Sequence, residues 1–437
     1  MPNRRAAKWL TYMVLFLVCM IMVAIPTGAA TGSAARAPEI AGDYVVLAWN
    51  DLGMHCDNPR FQDIGVLPPY NNLYAQVIRV ADPPQLVTTG ITVEYSIQDN
   101  TYSVGKSDFW DASPYHGVQN AQWLFQLAQP LPANVGLTGK GLSGTMDLSG
   151  NHFVAEGIPI TEYRDSAPTV RYPYQLATVK VFDASSGALL AQSTPVIPIS
   201  SEMHCDNCHY DNGPGNEDIA TGVVDQNILT KHDQEHQNDY PPGHTGPLMG
   251  RRPILCAECH ASNALGKPGV PEVPSFSNAM HEKHTGKVPD TLDGCYNCHP
   301  GPQTQCLRDV MSNQYGMDCI DCHGGMAQVA QNPDPWLNEP RCDNSACHGS
   351  AFQQNQPLYR QSTEHAGVYC EACHDSTHAV APSREYNDSL KFVAWQGHNG
   401  PLDDCLVCHV TQPAGAGPHG LSAPMVRIYL PFIVRNW

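Results

Sequence analysis

The 437-residue chain lacks two features that would point to common classes of function. After residue 26 it has no apolar run of the roughly 20 residues that a membrane-spanning helix needs, so no second membrane span is expected. Basic residues are also scarce, since 24 Lys and Arg stand against 42 Asp and Glu and give a formal net charge of −18. Nucleic acid is therefore a poor partner, and a basic protein or a cationic or metal-bearing surface is a better one.

Charged residues make up only 15% of the chain, whereas proline and glycine are plentiful at 37 and 36 residues. This composition is typical of a soluble, loop-rich protein with little long helix.

Residues 1–37 have the order of a secretory signal peptide. A positive segment at residues 1–8 precedes an apolar run at residues 9–26, and small residues follow. Cleavage is expected after one of three alanines, Ala29, Ala30 or Ala37. Because the apolar run is long for a signal peptide, an uncleaved membrane anchor through residues 9–26 is the alternative. Under either interpretation the remainder of the chain is exported.

Residues 38–202 are predicted to form an all-β sandwich of the Ig-like kind. Apolar and β-branched residues alternate or run together in short segments, and Gly, Pro and Asn separate these segments. The predicted strands are 44–49, 73–80, 91–97, 176–182, 188–192 and 194–199. The fourth and fifth of these strands are expected to form a hairpin, because a short polar turn joins them.

Cysteine and histidine recur in one unit between residues 203 and 420. The pattern C-x-x-C-H occurs six times, and a wider C-x4-C-H copy occurs once. C-x-x-C-H is the attachment signal for c-type haem, in which the two thiols bond the haem vinyl groups and the histidine binds the iron. The expected attachment residues are Cys205, Cys208, Cys256, Cys259, Cys295, Cys298, Cys319, Cys322, Cys342, Cys347, Cys370, Cys373, Cys405 and Cys408. The expected proximal iron ligands are His209, His260, His299, His323, His348, His374 and His409.

Residues 203–420 are thus predicted to be a seven-haem cytochrome c domain, haem-cored, loop-rich and short-helical. The motifs have no fixed period, which excludes a solenoid. So little chain is present for each haem that the flat macrocycles are expected to form the core and to lie close together. Paired C-x-x-C units also hold zinc, but zinc does not require a histidine directly after every second cysteine.

Each iron needs a sixth ligand unless it is left open for a substrate. Of the 20 histidines, 13 lie outside the motifs. The candidate distal ligands are His232, His281, His284, His365, His378, His398 and His419, with His55, His204, His236 and His244 in reserve. Methionine is an alternative ligand, at Met249, Met280, Met311, Met317 or Met326. Ligation by two histidines implies electron transfer at a lower potential than ligation by Met and His.

Two cysteines remain outside the signal segment and the motifs, Cys56 and Cys306. Two unused cysteines in an exported protein pair naturally, so a Cys56–Cys306 disulfide is predicted.

With these motifs, residues 203–419 resemble the multihaem c-type cytochromes of extracellular electron transfer, some of which polymerise into haem-cored filaments. The segments 47–56 and 200–205 are similar to exported bacterial cytochrome c proteins with an N-terminal β domain. The resemblance implies ligation by two histidines throughout, redox partner proteins or extracellular acceptors, and self-association into a filament as an option. The location expected from it is the periplasm, the cell surface or the exterior.

The apolar C-terminal tail, residues 421–437, is too short to span a bilayer. It is interpreted as a sorting segment or as an edge strand on the sandwich. A third interpretation adds it to the sheet of a neighbouring subunit, which is how exposed strands often join chains.

Two functions follow from the motifs. The first is an electron conduit in which all irons are six-coordinate and no residue is catalytic. The second is an oxidoreductase of a small nitrogen or sulfur compound, which needs one iron with an open face beside acid–base residues. The chain has no C-x-x-C-K variant of the motif, which favours the conduit.

Overall fold

The computed structural model describes residues 42–113, 115–244, 246–332 and 334–420. The expected signal segment and the C-terminal tail lie outside these residues. Within them, no helix has the length and apolar character that crossing a membrane requires.

The chain is rich in β-structure, with several sheets and a few short helices. The strands, in chain order, are β1 (Tyr44–Trp49), β2 (His55–Cys56), β3 (Ile64–Gly65), β4 (Asn71–Arg79), β5 (Gln85–Leu86), β6 (Ile91–Ile97), β7 (Ser143–Thr145), β8 (Asp147–Ser149), β9 (His152–Ile158), β10 (Tyr163–Arg164), β11 (Ala167–Arg171), β12 (Tyr174–Asp183), β13 (Leu189–Ser193), β14 (Val196–Ser200), β15 (Ile254–Leu255), β16 (Thr363–Glu364) and β17 (Val368–Tyr369). The predicted strands at 44–49 and 91–97 and the predicted hairpin are confirmed, the hairpin being the antiparallel pair of β12 and β13.

Helices are short and lie mainly after residue 203. They are α1 (Asn120–Phe125), α2 (Asp206–His209), α3 (Val224–His236), α4 (Phe276–His284), α5 (Leu292–Cys295), α6 (Val310–Tyr315), α7 (Cys319–His323), α8 (Met326–Gln331), α9 (Cys370–His374) and α10 (Tyr386–Gln396). Glycine and proline interrupt this part of the chain often, which keeps the helices near one to three turns.

Two larger sheets use the front half of the chain. One has the order β1-β4-β9-β8 with β5 beside β4, and the other has the order β2-β14-β12-β6-β7 with β13 beside β12. The central pairs are antiparallel, for example Val46 opposite Val77 in one sheet and Val179 opposite Tyr95 in the other. The inward residues of both sheets share one hydrophobic cluster. Alternation along β6 and β12 supplies this buried face, because side chains on a strand point to opposite sides in turn.

Strand β1 is buried on both of its faces. Val46 and Ala48 join the cluster between the two larger sheets. Leu47 and Trp49 point the other way and pack with Phe392 and other residues of the C-terminal part. A strand that is buried on both sides needs apolar residues along its whole length, rather than apolar and polar residues in alternation. Through β1, the front segment and the motif-bearing segment therefore share a core.

Polar contacts tie the same two segments together. The Trp49 indole donates to the Glu371 carboxylate at 2.9 Å, and the Lys391 ammonium donates to the Ala48 carbonyl at 3.1 Å. Asn387 on α10 donates to the Tyr174 carbonyl at 2.6 Å. These donors and acceptors are largely buried, so each contact also satisfies a group that would be costly to leave unpaired.

A buried ion pair lies next to this seam. Arg308 holds Asp388 with two hydrogen bonds, from Nε at 2.7 Å and from Nη2 at 3.0 Å. Both side chains are almost fully excluded from solvent. The guanidinium also lies over the Tyr174 ring, 4.9 Å from its centre.

Replacing Arg308 by methionine should destabilise the protein by about 3–5 kcal/mol, because the Asp388 carboxylate would stay buried without its partner. The matched control is Arg60→Met, which breaks a pair with Asp225 in which the arginine is 42% exposed. Such exposed pairs contribute about 0–1 kcal/mol. Denaturant unfolding of the two variants should separate them, and equal midpoints would contradict a structural role for the buried pair.

Candidate haem-attachment sites

Each motif forms a tight turn that brings its two cysteines and its histidine together. In four motifs the histidine N–H donates to the carbonyl of the first cysteine, at 2.8 to 3.1 Å, as in the pair His209 and Cys205. Two other motifs form the one-turn helices α7 and α9. Asp318 caps α7 with a reciprocal capping box, which fixes where that turn begins.

Six of the motif histidines face a second histidine from another part of the chain. The ring centres lie 5.9 to 6.4 Å apart in every pair. The pairs are His209–His284, His260–His232, His299–His281, His323–His378, His374–His419 and His409–His365. The angles between the two ring planes range from 24° to 88°. The pairs therefore share a ring separation but differ in ring orientation.

This separation fits two imidazoles on opposite sides of one iron. A histidine nitrogen binds a metal at about 2 Å and the ring centre lies about 1 Å farther out, so the two ring centres stand about 6 Å apart. Direct ring stacking is much closer, as the 3.5 Å between His116 and Trp123 illustrates. The donor set at these six places therefore fits a haem iron with two histidine ligands.

Hydrogen bonds at Nδ1 hold several of these rings in the orientation that a metal ligand needs. His260 Nδ1 lies 2.8 Å from the Pro274 carbonyl, and His281 and His284 have the same contact at 2.7 Å with carbonyls four residues earlier. A carbonyl only accepts, so Nδ1 carries the proton. The lone pair then resides on Nε2, which is the arrangement found for histidines that bind metals.

Two orienting residues were not expected from the sequence. Asp82 lies in the front segment, and its carboxylate is 3.2 Å from His409 Nδ1. Asn216 accepts from His209 Nδ1 at 2.9 Å. Asp82 is remote from every motif in the sequence, so no local pattern reveals it. Asn216 lies close to the first motif but has no distinguishing spacing.

The surroundings of the paired histidines favour the neutral ring. Desolvation by the surrounding protein lowers the pKa of His299 and of His378 to about 4. Desolvation also lowers the pKa of four further histidines, His209, His232, His323 and His365. Neutral imidazole is the form that binds metal, so these positions suit a ligand role.

His398 is the one candidate distal ligand that the structure does not place opposite a motif histidine. Its Nε2 lies 3.2 Å from the Asp403 carboxylate, and its Nδ1 lies 3.3 Å from the Asn399 carbonyl. Both ring nitrogens are thus engaged near the end of α10. Its nearness in sequence to the last motif suggested a ligand, but the chain turns it toward Asp403 instead.

The reserve histidines also lie away from the six histidine pairs, with one exception. His55 is buried against Asp51 at 2.8 Å, and His204 contacts Glu202 and the Gly301 carbonyl. His244 lies beside Cys259 and Glu258, in the second motif. The exception is His236, whose ring centre is 4.8 Å from that of His232.

Cysteines of different motifs lie close enough to influence one another's pKa, and these contacts define a spatial order. The contacts that join motifs are Cys256–Cys205, Cys205–Cys298, Cys295–Cys319, Cys322–Cys347, Cys342–Cys370 and Cys373–Cys408. Named by their first cysteines, the motifs therefore follow one another in the order 256, 205, 295, 319, 342, 370 and 405. These pairs link the seven motifs in series, and the series differs from the sequence only in exchanging the first two motifs.

Cys56 and Cys306 are both free thiols in the structure. They lie close enough for the charge of Cys306 to add to the burial that raises the pKa of Cys56. The predicted disulfide is therefore not formed here, although its two cysteines are neighbours. Peptide mapping of the purified protein without reduction should recover a Cys56–Cys306 linked peptide. Recovery of both as alkylated single peptides would contradict the disulfide.

Within the described ranges, no group of three or more His, Cys, Asp and Glu side chains is placed to hold a metal ion. A haem iron takes only its axial ligands from the protein, so two histidines suffice for it. The chain matches no protein-family model and no curated protein.

Replacing His284 by alanine should convert one haem per molecule from low-spin to high-spin, because His209 would lose the ring that faces it. Electron paramagnetic resonance of the oxidised protein counts the high-spin haems. His116→Ala is the control, since this ring stacks on Trp123 and faces no motif histidine. An unchanged spin state in the His284 variant would exclude this residue as a ligand.

Proposed function

We propose that this protein transfers electrons along a chain of seven covalently bound c-type haems, six of them held between two histidines. The observation that carries this proposal is the recurrence of paired histidine rings at 5.9 to 6.4 Å, each pair including one motif histidine. When bound, each haem supplies an iron that alternates between the ferric and ferrous states. The chain's own residues anchor the group through two cysteines and orient the axial rings.

The serial order of the motifs supports a conduit. Haems held at these motifs would form a continuous series from the motif of Cys256 to the motif of Cys405. Histidines of successive motifs also lie close together, since the charge of His323 contributes to the lowered pKa of His299. Phe352 contacts His348 and His419, with ring centres 5.6 and 5.0 Å apart, and so lies between two further sites.

The distribution of buried side chains supports haem as the core of the second segment. Between residues 258 and 357, Tyr296 is the one buried hydrophobic side chain among the described residues. A stretch of this length normally buries many apolar side chains to offset its loss of conformational entropy. Apolar macrocycles attached at the motifs would supply that burial.

The front segment, residues 38–202, is interpreted as an Ig-like sandwich that braces the haem segment. The shared cluster between the two larger sheets is consistent with a sandwich. The seam at β1 and the Asp82 contact to His409 give this segment a direct part in positioning a motif.

Export of the protein is part of the proposal. The signal-like segment and the covalent attachment of haem both belong to proteins that act outside the cytoplasm, in the periplasm or at the cell surface. The partners expected there are redox proteins or extracellular acceptors. The family resemblance adds self-association into a filament as an alternative.

Denaturing mass spectrometry of the purified protein should show the added mass of seven haems, because thioether bonds survive unfolding. Fewer than seven would show which motif fails, once the haem peptides are mapped. A polypeptide without covalent haem would refute the proposal.

Loss of an internal haem should interrupt conduction more than loss of a terminal one. The internal variant is Cys319→Ala with Cys322→Ala, and the matched terminal variant is Cys405→Ala with Cys408→Ala. Current through a protein layer between two electrodes should fall far more in the first variant than in the second. Equal currents would show that electrons do not follow the proposed order.

A further inference from the structure

His348, the histidine of the C-x4-C-H motif, faces no second histidine. Each of the other six motif histidines has a partner ring at 5.9 to 6.4 Å, whereas the ring in contact with His348 belongs to Phe352, with centres 5.6 Å apart. This difference is specific to one site of seven.

The remaining histidines are accounted for elsewhere. All 13 non-motif histidines fall within the described residues, and six of them are the partner rings already named. The other seven contact groups away from His348: His55 with Asp51, His116 with Trp123, His152 with Tyr74 and Tyr369, His204 with Glu202, His236 with His232, His244 with Glu258, and His398 with Asp403. Within the described residues, which include all 20 histidines, no second histidine ring therefore faces His348.

The backbone of this motif also differs from the others. In four C-x-x-C-H motifs the histidine N–H closes a turn on the first cysteine, but here the Cys347 and Gly349 N–H groups both donate to the Asn344 carbonyl. The turn is thus centred within the wider loop.

We propose that the haem attached at Cys342 and Cys347 is five-coordinate, with His348 as its one protein ligand, and that it binds small external ligands of iron. The class is small neutral or anionic molecules that coordinate haem iron, for which carbon monoxide and cyanide are the probes. This inference rests on the proposed haem content and adds to it a binding site at a defined position.

The first experiment uses the complete seven-haem protein. The oxidised form should show one high-spin haem in seven, and the reduced form should bind one carbon monoxide per molecule. Seven haems that are all low-spin and indifferent to carbon monoxide would overturn this inference and leave the conduit intact. Absence of covalent haem would instead remove the proposed function itself.

Two double variants, each lacking one haem, show which motif holds the five-coordinate haem. Cys342→Ala with Cys347→Ala should leave six haems and abolish both the high-spin signal and carbon monoxide binding. Cys405→Ala with Cys408→Ala should also leave six haems but retain both. Persistence of the high-spin haem in the first variant would place the open iron elsewhere. A methionine-to-iron charge-transfer band that disappears in that variant would show a methionine as sixth ligand and would likewise overturn the inference.

A milder pair of variants covers the case in which a missing haem prevents folding. Phe352→Leu alters the ring beside His348, and Phe276→Leu alters the ring beside His260, 6.4 Å away. Resonance Raman spectra of the reduced protein should show a shifted iron–histidine stretch for the high-spin haem in the first variant only. A shift in the second variant alone would assign the open site to His260.

Discussion

A separation of 5.9 to 6.4 Å between two imidazole rings is the constraint around which the second half of this protein is arranged. One ring of each pair is set by a tight local turn, whereas the other arrives from a different part of the chain. Holding two polar rings at this distance, without contact, requires backbone support on both sides. The Nδ1 hydrogen bonds to carbonyls and carboxylates supply that support, and the turns and short helices place the acceptors.

The same constraint explains why the front sheets are joined so firmly to the motif segment. Between residues 258 and 357 the described chain has almost no apolar core of its own. Rigidity must then come partly from a neighbouring structure, and β1 provides it by burying one face in each of two clusters. Asp82 extends this link from the front segment to a ligand ring at His409. Removal of either segment would expose the apolar residues that the other contributes to the shared cluster.

The sequence predicts structure that depends on neighbouring residues, but it does not predict contacts between residues that are far apart along the chain. Strands such as 44–49 and 91–97 follow from short-range pattern, and the cysteine spacing locates the tight turns of the motifs, because both depend on neighbours along the chain. The sequence also selects six of the histidines that face a motif. It does not pair them, since His281 and His284 both precede Cys295, whereas the structure places His281 opposite His299 and His284 opposite His209. A segment must pass around a flat group to reach its far side, so the nearest histidine in sequence is often on the wrong side. The position of His398 beside the last motif likewise does not reveal that its ring lies against Asp403.

The motif of His348 lies in the interior of the spatial order. Its unpaired ring therefore has a consequence for electron transfer that it would not have in a terminal motif. Its motif is fifth of seven, with Cys347 beside Cys322 on one side and Cys342 beside Cys370 on the other. On the proposed order, electrons from either end reach this haem before they leave the protein. An iron that gains a ligand changes its spin state and its reduction potential, and these properties set how readily it passes an electron on. A small ligand at this site would therefore act on the conduit near its centre.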